Sequence, residues 1–120
     1  MRVKLAGLAV LMLAGCASGN VPEAADPVIA SPSQIAAGRV MAERRCGACH
    51  SIGKTDHSAV AAAPAFRDLG KRYPVSDLAE TLAEGIVTGH PSMPEWVFDP
   101  EEITQLLGYI ESIQARPPAT

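Results

Sequence analysis

The sequence predicts an all-α domain, and three observations carry that prediction. Two segments, SPSQ at 31–34 and DPEE at 99–102, place a capping residue, a proline and a Gln or Glu in the order that opens a helix. Ile103, Leu106, Leu107, Ile110 and Ile113 recur at helical spacing after the second of them. No stretch alternates apolar and polar residues as a half-buried strand would. Three main helices are therefore expected.

The first helix is expected to start with Ser31 as N-cap, Pro32 at N1 and Gln34 at N3, and to run to about Arg45. Ile35, Gly38, Met41 and Ala42 fall on its inner side. Glycine costs a helix about 1 kcal/mol relative to alanine, so Gly38 points to a second helix crossing closely there. The second helix is expected over 77–88, with Asp77 and Glu80 spaced as a capping box, Leu78, Leu82 and Ile86 inward, and Gly89 ending it. The third starts at the Asp99 cap and stops before Pro117 and Pro118.

Before the first helix the chain changes character. Arg2 and Lys4 precede an apolar or small run, Leu5–Leu13, and LAGC follows, ending at Cys16. The run is shorter than the roughly 20 residues that span a bilayer, and its layout is that of an export signal. LAGC resembles the end of a bacterial lipoprotein signal, which implies removal of residues 1–15 and lipidation of Cys16. Residues 16–31 have two prolines, many small residues and no periodicity. They read as a flexible tether reaching roughly 20 Å at ~5–6 Å × √n. The folded domain is expected over 32–116, with a disordered tail at 117–120.

The 120-residue chain carries a net charge of −3. Without Arg2 and Lys4 it has eight basic and thirteen acidic residues, a balance of −5, which argues against a nucleic-acid partner. From Arg39 to Arg72 seven basic residues face three acidic ones; from Tyr73 onward one faces eight. Such asymmetry could orient a partner during encounter, or be two halves of a surface satisfying each other.

Few large apolar residues lie between 51 and 76, so something other than side chains is expected to fill the centre. RRCGACHSIG, residues 44–53, says what. Cys46-Gly47-Ala48-Cys49-His50 has the spacing for covalent attachment of a c-type haem. Two thiols take the two vinyl groups, and His50 ligates the iron. Gly47 and Ala48 are small, as a turn hugging the ring prefers. A zinc site needs about four ligands, and the mature chain offers only His57, His90 and Cys16 besides the motif. A thioredoxin-like dithiol belongs at a helix start in a sheet-based fold; a structural Cys46–Cys49 disulfide is a further alternative in an exported chain. The opposite axial position has four candidates: Met93, His90, His57 and Met41. Met93 is favoured because Pro91 and Pro94 flank it in a loop between two helices. His90 as ligand, or an open iron site, are the alternatives.

With these features the chain resembles the small class I bacterial cytochromes c over nearly all of its folded part. The resemblance implies a compact fold of three main helices around one covalently bound haem, with the first and last helices crossing and His50 and Met93 as axial ligands. Gly38 matches the small residue at that crossing, and Tyr109 in LLGYI, 106–110, the aromatic facing it. APAFRDLG, 63–70, is similar to a family loop in which the Pro64 carbonyl would accept from the His50 ring and Phe66 and Leu69 would pack on the haem. Two positions depart from the pattern: Ala63 stands where a glycine is usual, and no aromatic occurs late in the first helix. Trp96 and Tyr73 are expected near the ring. Arg44, Arg45, Lys54, Arg67, Lys71 and Arg72 are candidates for haem propionates or an acidic partner.

The function implied is one-electron transfer between redox proteins: an oxidase, a dehydrogenase or a quinol-oxidising complex. The lipid would anchor the domain on the periplasmic side of a bacterial membrane. It would not be an enzyme, and no small organic substrate is expected. The alternatives are a haem enzyme or gas-binding sensor with a labile sixth ligand, and a fixed haem relay in a larger redox complex.

Overall fold

The computed structural model of the chain describes residues 26–85 and 92–115. The expected signal peptide, Cys16 and most of the tether, His90, Gly89 and the 117–120 tail lie outside the described residues. Within them the chain forms a small, compact all-α domain without strands. Helix α1 spans Pro32–Arg45, α2 Leu78–Glu84 and α3 Pro100–Ser112, with 3-10 turns at Phe66–Lys71 and Val75–Asp77.

Both expected capping boxes form. Ser31 accepts from the backbone N–H of Gln34, whose side chain accepts from the Ser31 N–H at 2.8 Å. Asp99 and Glu102 exchange the same pair of bonds at 2.8 and 3.2 Å. Such caps satisfy backbone donors that the first helical turn leaves without partners. The stripe on α3 is the spine of the core: Leu106, Leu107, Ile110 and Ile113 are buried. Ala42 of α1 and Leu82 of α2 pack in the same cluster, with Ile35, Met41 and Ile103 at its edge.

Helix α2 differs from expectation. It is shorter than 77–88, and the Asp77–Glu80 box does not form because Asp77 is already in helical conformation, with φ −66 and ψ −15. The helical path starts one turn earlier, after Pro74, from which the Val75–Asp77 turn leads straight into α2. Gly85, with φ +96, ends the helix before Ile86. A positive φ is strained for residues with a Cβ.

The end of the expected tether is also packed. The Val28 N–H donates to both carboxylate oxygens of Glu111, at 3.1 and 3.0 Å. Ala30 lies so close to Gly108 that a side chain at 108 would collide with it. Residues 28–30 therefore belong to the domain, although Ile29 is exposed.

Helices α1 and α3 cross at Gly38. A Cβ there would be driven into the backbone carbonyl of Gln105 and would stand 3.0 Å from the Tyr109 Cβ. The obstructing atom is backbone, which cannot swing aside. Gly38→Ala is expected to destabilise the protein by about 2–3 kcal/mol, as overpacking does, since alanine's better helix propensity returns only about 1 kcal/mol. A urea-denaturation midpoint at or above that of the wild type would show that the crossing can relax.

Candidate functional site

Helix α1 delivers the cysteine motif at its C-terminus. Cys46 is the C-cap, and its N–H and that of Gly47 both donate to the Ala42 carbonyl at 2.9 Å. The Cys46 carbonyl then accepts from Cys49 at 3.1 Å and His50 at 2.9 Å. The motif is thus one tight turn that keeps both thiols and the imidazole within a few residues of the helix end. Gly47 is needed for a reason other than the expected one: a Cβ there would lie 2.9 Å from the Glu43 carbonyl, so α1 itself excludes a larger residue.

His50 Nδ1 lies 2.8 Å from the Pro64 carbonyl oxygen, and that oxygen can only accept. The ring therefore carries its proton on Nδ1, leaving Nε2 as the nitrogen with a free lone pair. Phe66 sits beside it, with ring centroids 5.2 Å apart and planes tilted by 45°. Both Phe66 and Leu69, from the first 3-10 turn, are buried.

These residues border a cavity of about 610 Å³, within the roughly 300–1,000 Å³ range of cofactor and small-molecule sites. Its wall brings together Cys46, Cys49, His50, Pro64, Phe66 and Met93. Leu69, Leu82, Leu106 and Ile110 give the wall its apolar character, and Arg45, Arg72, Tyr73 and Trp96 are polar groups within it. Met93 is half-buried. The segment carrying it is held where Phe98 is buried and donates its N–H to the Leu82 carbonyl at 3.0 Å. Of the other ligand candidates, His57 is exposed and absent from the wall. Met41 lines a separate shallow groove on α1 with Ala37 and Val40. His90 lies outside the described residues.

Phe98 escaped the reading of the sequence. It stands at N′ of α3, one residue before the Asp99 cap, with Ile103 at N4. That spacing is the hydrophobic staple, the signal that would have found it. The Arg45 guanidinium lies 5.5 Å from the Trp96 ring centroid and 5.1 Å from that of Phe98, within cation–π range. It also pairs with Glu102 at 2.8 Å. This pair joins the basic half of the chain to the acidic half. The others, Arg39–Glu43, Arg67–Asp56 and Lys71–Asp68, stay within the basic half.

Burial pushes the Cys46 thiol up to about 11, partly offset by Arg45, whereas redox dithiols depend on a lowered value. Both thiols are free. Among the described residues no three His, Cys, Asp or Glu side chains gather as a metal-binding group, and no helix is long and apolar enough to cross a membrane. No family model, curated protein or solved structure matches the chain.

Behind His50 the loop folds on Asp56. Its carboxylate accepts from the Ser51 hydroxyl at 2.8 Å and from the backbone N–H groups of Ile52 and Gly53 at 3.0 and 2.9 Å. The Ser51 bond above all holds its pKa below the ordinary carboxylate value against desolvation, the next-largest effect, with the backbone donors adding to the lowering. A lowered native pKa stabilises the fold above the unfolded value, about 3.9 for Asp, and that stabilisation is lost as pH falls through the native one. The Ile52 and Gly53 amides are therefore expected to lose hydrogen-exchange protection, relative to α3, as pH drops below about 4. In Asp56→Asn the same amides should be less protected at neutral pH and insensitive to that acid step. Unchanged acid sensitivity in the variant would rule out Asp56 as the titrating group.

Proposed function

We propose that the chain is a one-electron carrier that resembles the class I bacterial cytochromes c: three main helices around one c-type haem, joined to Cys46 and Cys49 and ligated by His50 and Met93. One observation carries the reading. Residues separated along the chain from 46 to 93, of the types such a group requires, line a single apolar cavity with the imidazole already oriented.

Each part of the cavity wall then has a task. The Cys46 and Cys49 thiols would each add across one vinyl group, so that the turn holding them fixes the ring to the end of α1. His50 would bind through Nε2, and the Pro64 carbonyl on Nδ1 both orients the ring and raises its basicity. Met93 would take the opposite side, since its thioether is a soft, neutral donor. Phe66, Leu69, Leu82 and Ile110 keep water from the centre. Arg45, Arg72, Tyr73 and Trp96 supply donors for the anionic side chains of the ring. Bound there, the haem supplies a centre that takes up and releases one electron, at a potential that methionine ligation raises.

With both axial positions filled, no substrate site is required, and the partners are redox proteins such as an oxidase, a dehydrogenase or a quinol-oxidising complex. Lipidation at Cys16 would hold the carrier on the periplasmic side of a bacterial membrane through the tether.

Optical spectra of the purified holoprotein test this directly. A low-spin spectrum with the weak far-red band of methionine-ligated ferric haem, unmoved by carbon monoxide, is expected. High-spin features or a ready shift with the gas would replace the carrier by a haem enzyme or sensor. Met93→Ala should keep the covalent haem, bind carbon monoxide and have a lower midpoint potential; a variant spectrally identical to wild type would exclude Met93 as ligand. The mature holoprotein should begin at Cys16 and carry the added mass of acyl chains, which Cys16→Ser should lack. A wild-type protein without that mass would exclude the lipid anchor.

A further inference from the structure

Three of the connections between the segment that begins at His50 and the segment that begins at Pro64 lie at His50 and its neighbour Ser51. The first is the His50 Nδ1–Pro64 bond at 2.8 Å. The second runs from the Phe66 N–H to the Ser51 carbonyl at 2.9 Å. The third is a charged bond, from the Arg67 guanidinium to the Ser51 hydroxyl at 2.6 Å.

Ser51 takes part in the second and the third. It is fully buried, the only buried polar or charged residue of the core among those described, and every polar atom it has is engaged. Its N–H donates to the Ser58 hydroxyl at 2.9 Å and its carbonyl accepts from Phe66. Its hydroxyl donates to Asp56 while accepting from Arg67. The same Arg67 nitrogen donates to the carbonyls of Asp56 at 2.9 Å and Gly53 at 3.3 Å. Charge-assisted bonds of this kind are stronger than neutral ones. Arg67 thus closes the 51–56 loop and grips the residue next to His50, while its own backbone follows Pro64 by three positions.

We propose that Arg67 is a positioning residue for His50: through Ser51 it sets the register between the imidazole and the Pro64 carbonyl, and so the donor strength of the axial nitrogen. This rests on the haem reading above. An arginine at 67 is then more than one member of a basic surface. Loosening the clamp lengthens the Nδ1–H···O bond, makes the imidazole a poorer donor and removes more stabilisation from the ferric than from the ferrous state. The midpoint potential rises.

The test compares holoproteins carrying Arg67→Ala, Ser51→Ala, Arg67→Lys and Gln114→Ala. Gln114 ties the same 3-10 turn from the other side, donating to the Phe66 carbonyl and accepting from the Gly70 N–H, each at 2.7 Å, without touching Ser51. Arg67→Ala and Ser51→Ala are expected to shift the potential upward and speed exchange of the His50 Nδ1 proton, followed by NMR in the reduced state. Arg67→Lys, which keeps a cationic donor, should fall between them and the wild type. Gln114→Ala should lower thermal stability without moving either readout. If Arg67→Ala does not mature, Ser51→Ala and Arg67→Lys carry the same comparison. Lower stability with an unchanged potential and unchanged exchange in the Arg67 and Ser51 variants would overturn the positioning role and leave the haem reading intact. A wild-type protein without covalent haem would overturn that reading and the proposal with it.

Discussion

The rest of the structure depends on how closely α1 and α3 approach at Gly38. Two helices separated by ordinary side chains would sit farther apart, and the end of α1 would no longer meet the middle of the domain. With only a hydrogen at 38, the backbone of Gln105 and the Cβ of Tyr109 come against α1. Tyr109 then reaches past the crossing and donates its hydroxyl to the Ile52 carbonyl at 2.8 Å. The same contact that fixes the helices therefore fixes the start of the loop after the cysteine motif. Leu106 and Ile110, one helical turn apart on the same face, are left to wall the cavity. Ring position, loop position and cavity shape all follow from one missing side chain.

The long connection between α1 and α2 contains only two short 3-10 turns, so its order comes from polar clamps. Asp56 gathers the 51–53 backbone, Arg67 joins that loop to the next segment, and Gln114 ties the 3-10 turn to the end of α3. A neutral bond among them contributes about 0.5–1.5 kcal/mol net, less than one buried leucine. Their weight lies in direction: apolar packing tolerates small slips, whereas a carbonyl held on an imidazole proton does not. Among the described residues no buried side-chain nitrogen or oxygen is left without a partner. A low-dielectric interior penalises every such omission.

Helices α1 and α3 were legible because their caps are local: four residues carry the whole signal, and tertiary packing has only to agree with it. Helix α2 was misread for the same reason in reverse. Asp77 and Glu80 have capping-box spacing, yet the turn at Pro74 and the 3-10 residues after it place Asp77 inside the helical path. Cys46, Cys49 and His50 stood out through the spacing of their motif, and the fold brings them to one cavity wall. Met93 came from its flanking prolines. Pro64 and Phe66 came only from the family resemblance, because nothing in their own spacing points to His50. Ser51, Asp56 and Arg67 were opaque as a unit. A serine, an aspartate and an arginine spread over seventeen positions look like surface, and only the fold gathers the latter two around a buried Ser51.

The packed end of the tether adds a direction to the molecule. Ala30 seats on Gly108 and Val28 on Glu111, and Gly108 is two residues from both Leu106 and Ile110. Two residues along a helix correspond to roughly 200° of rotation, so Ala30 packs on the side of α3 turned away from Leu106 and Ile110. The cavity side, with Trp96 and Val60 partly exposed beside it, is left clear of this packed segment.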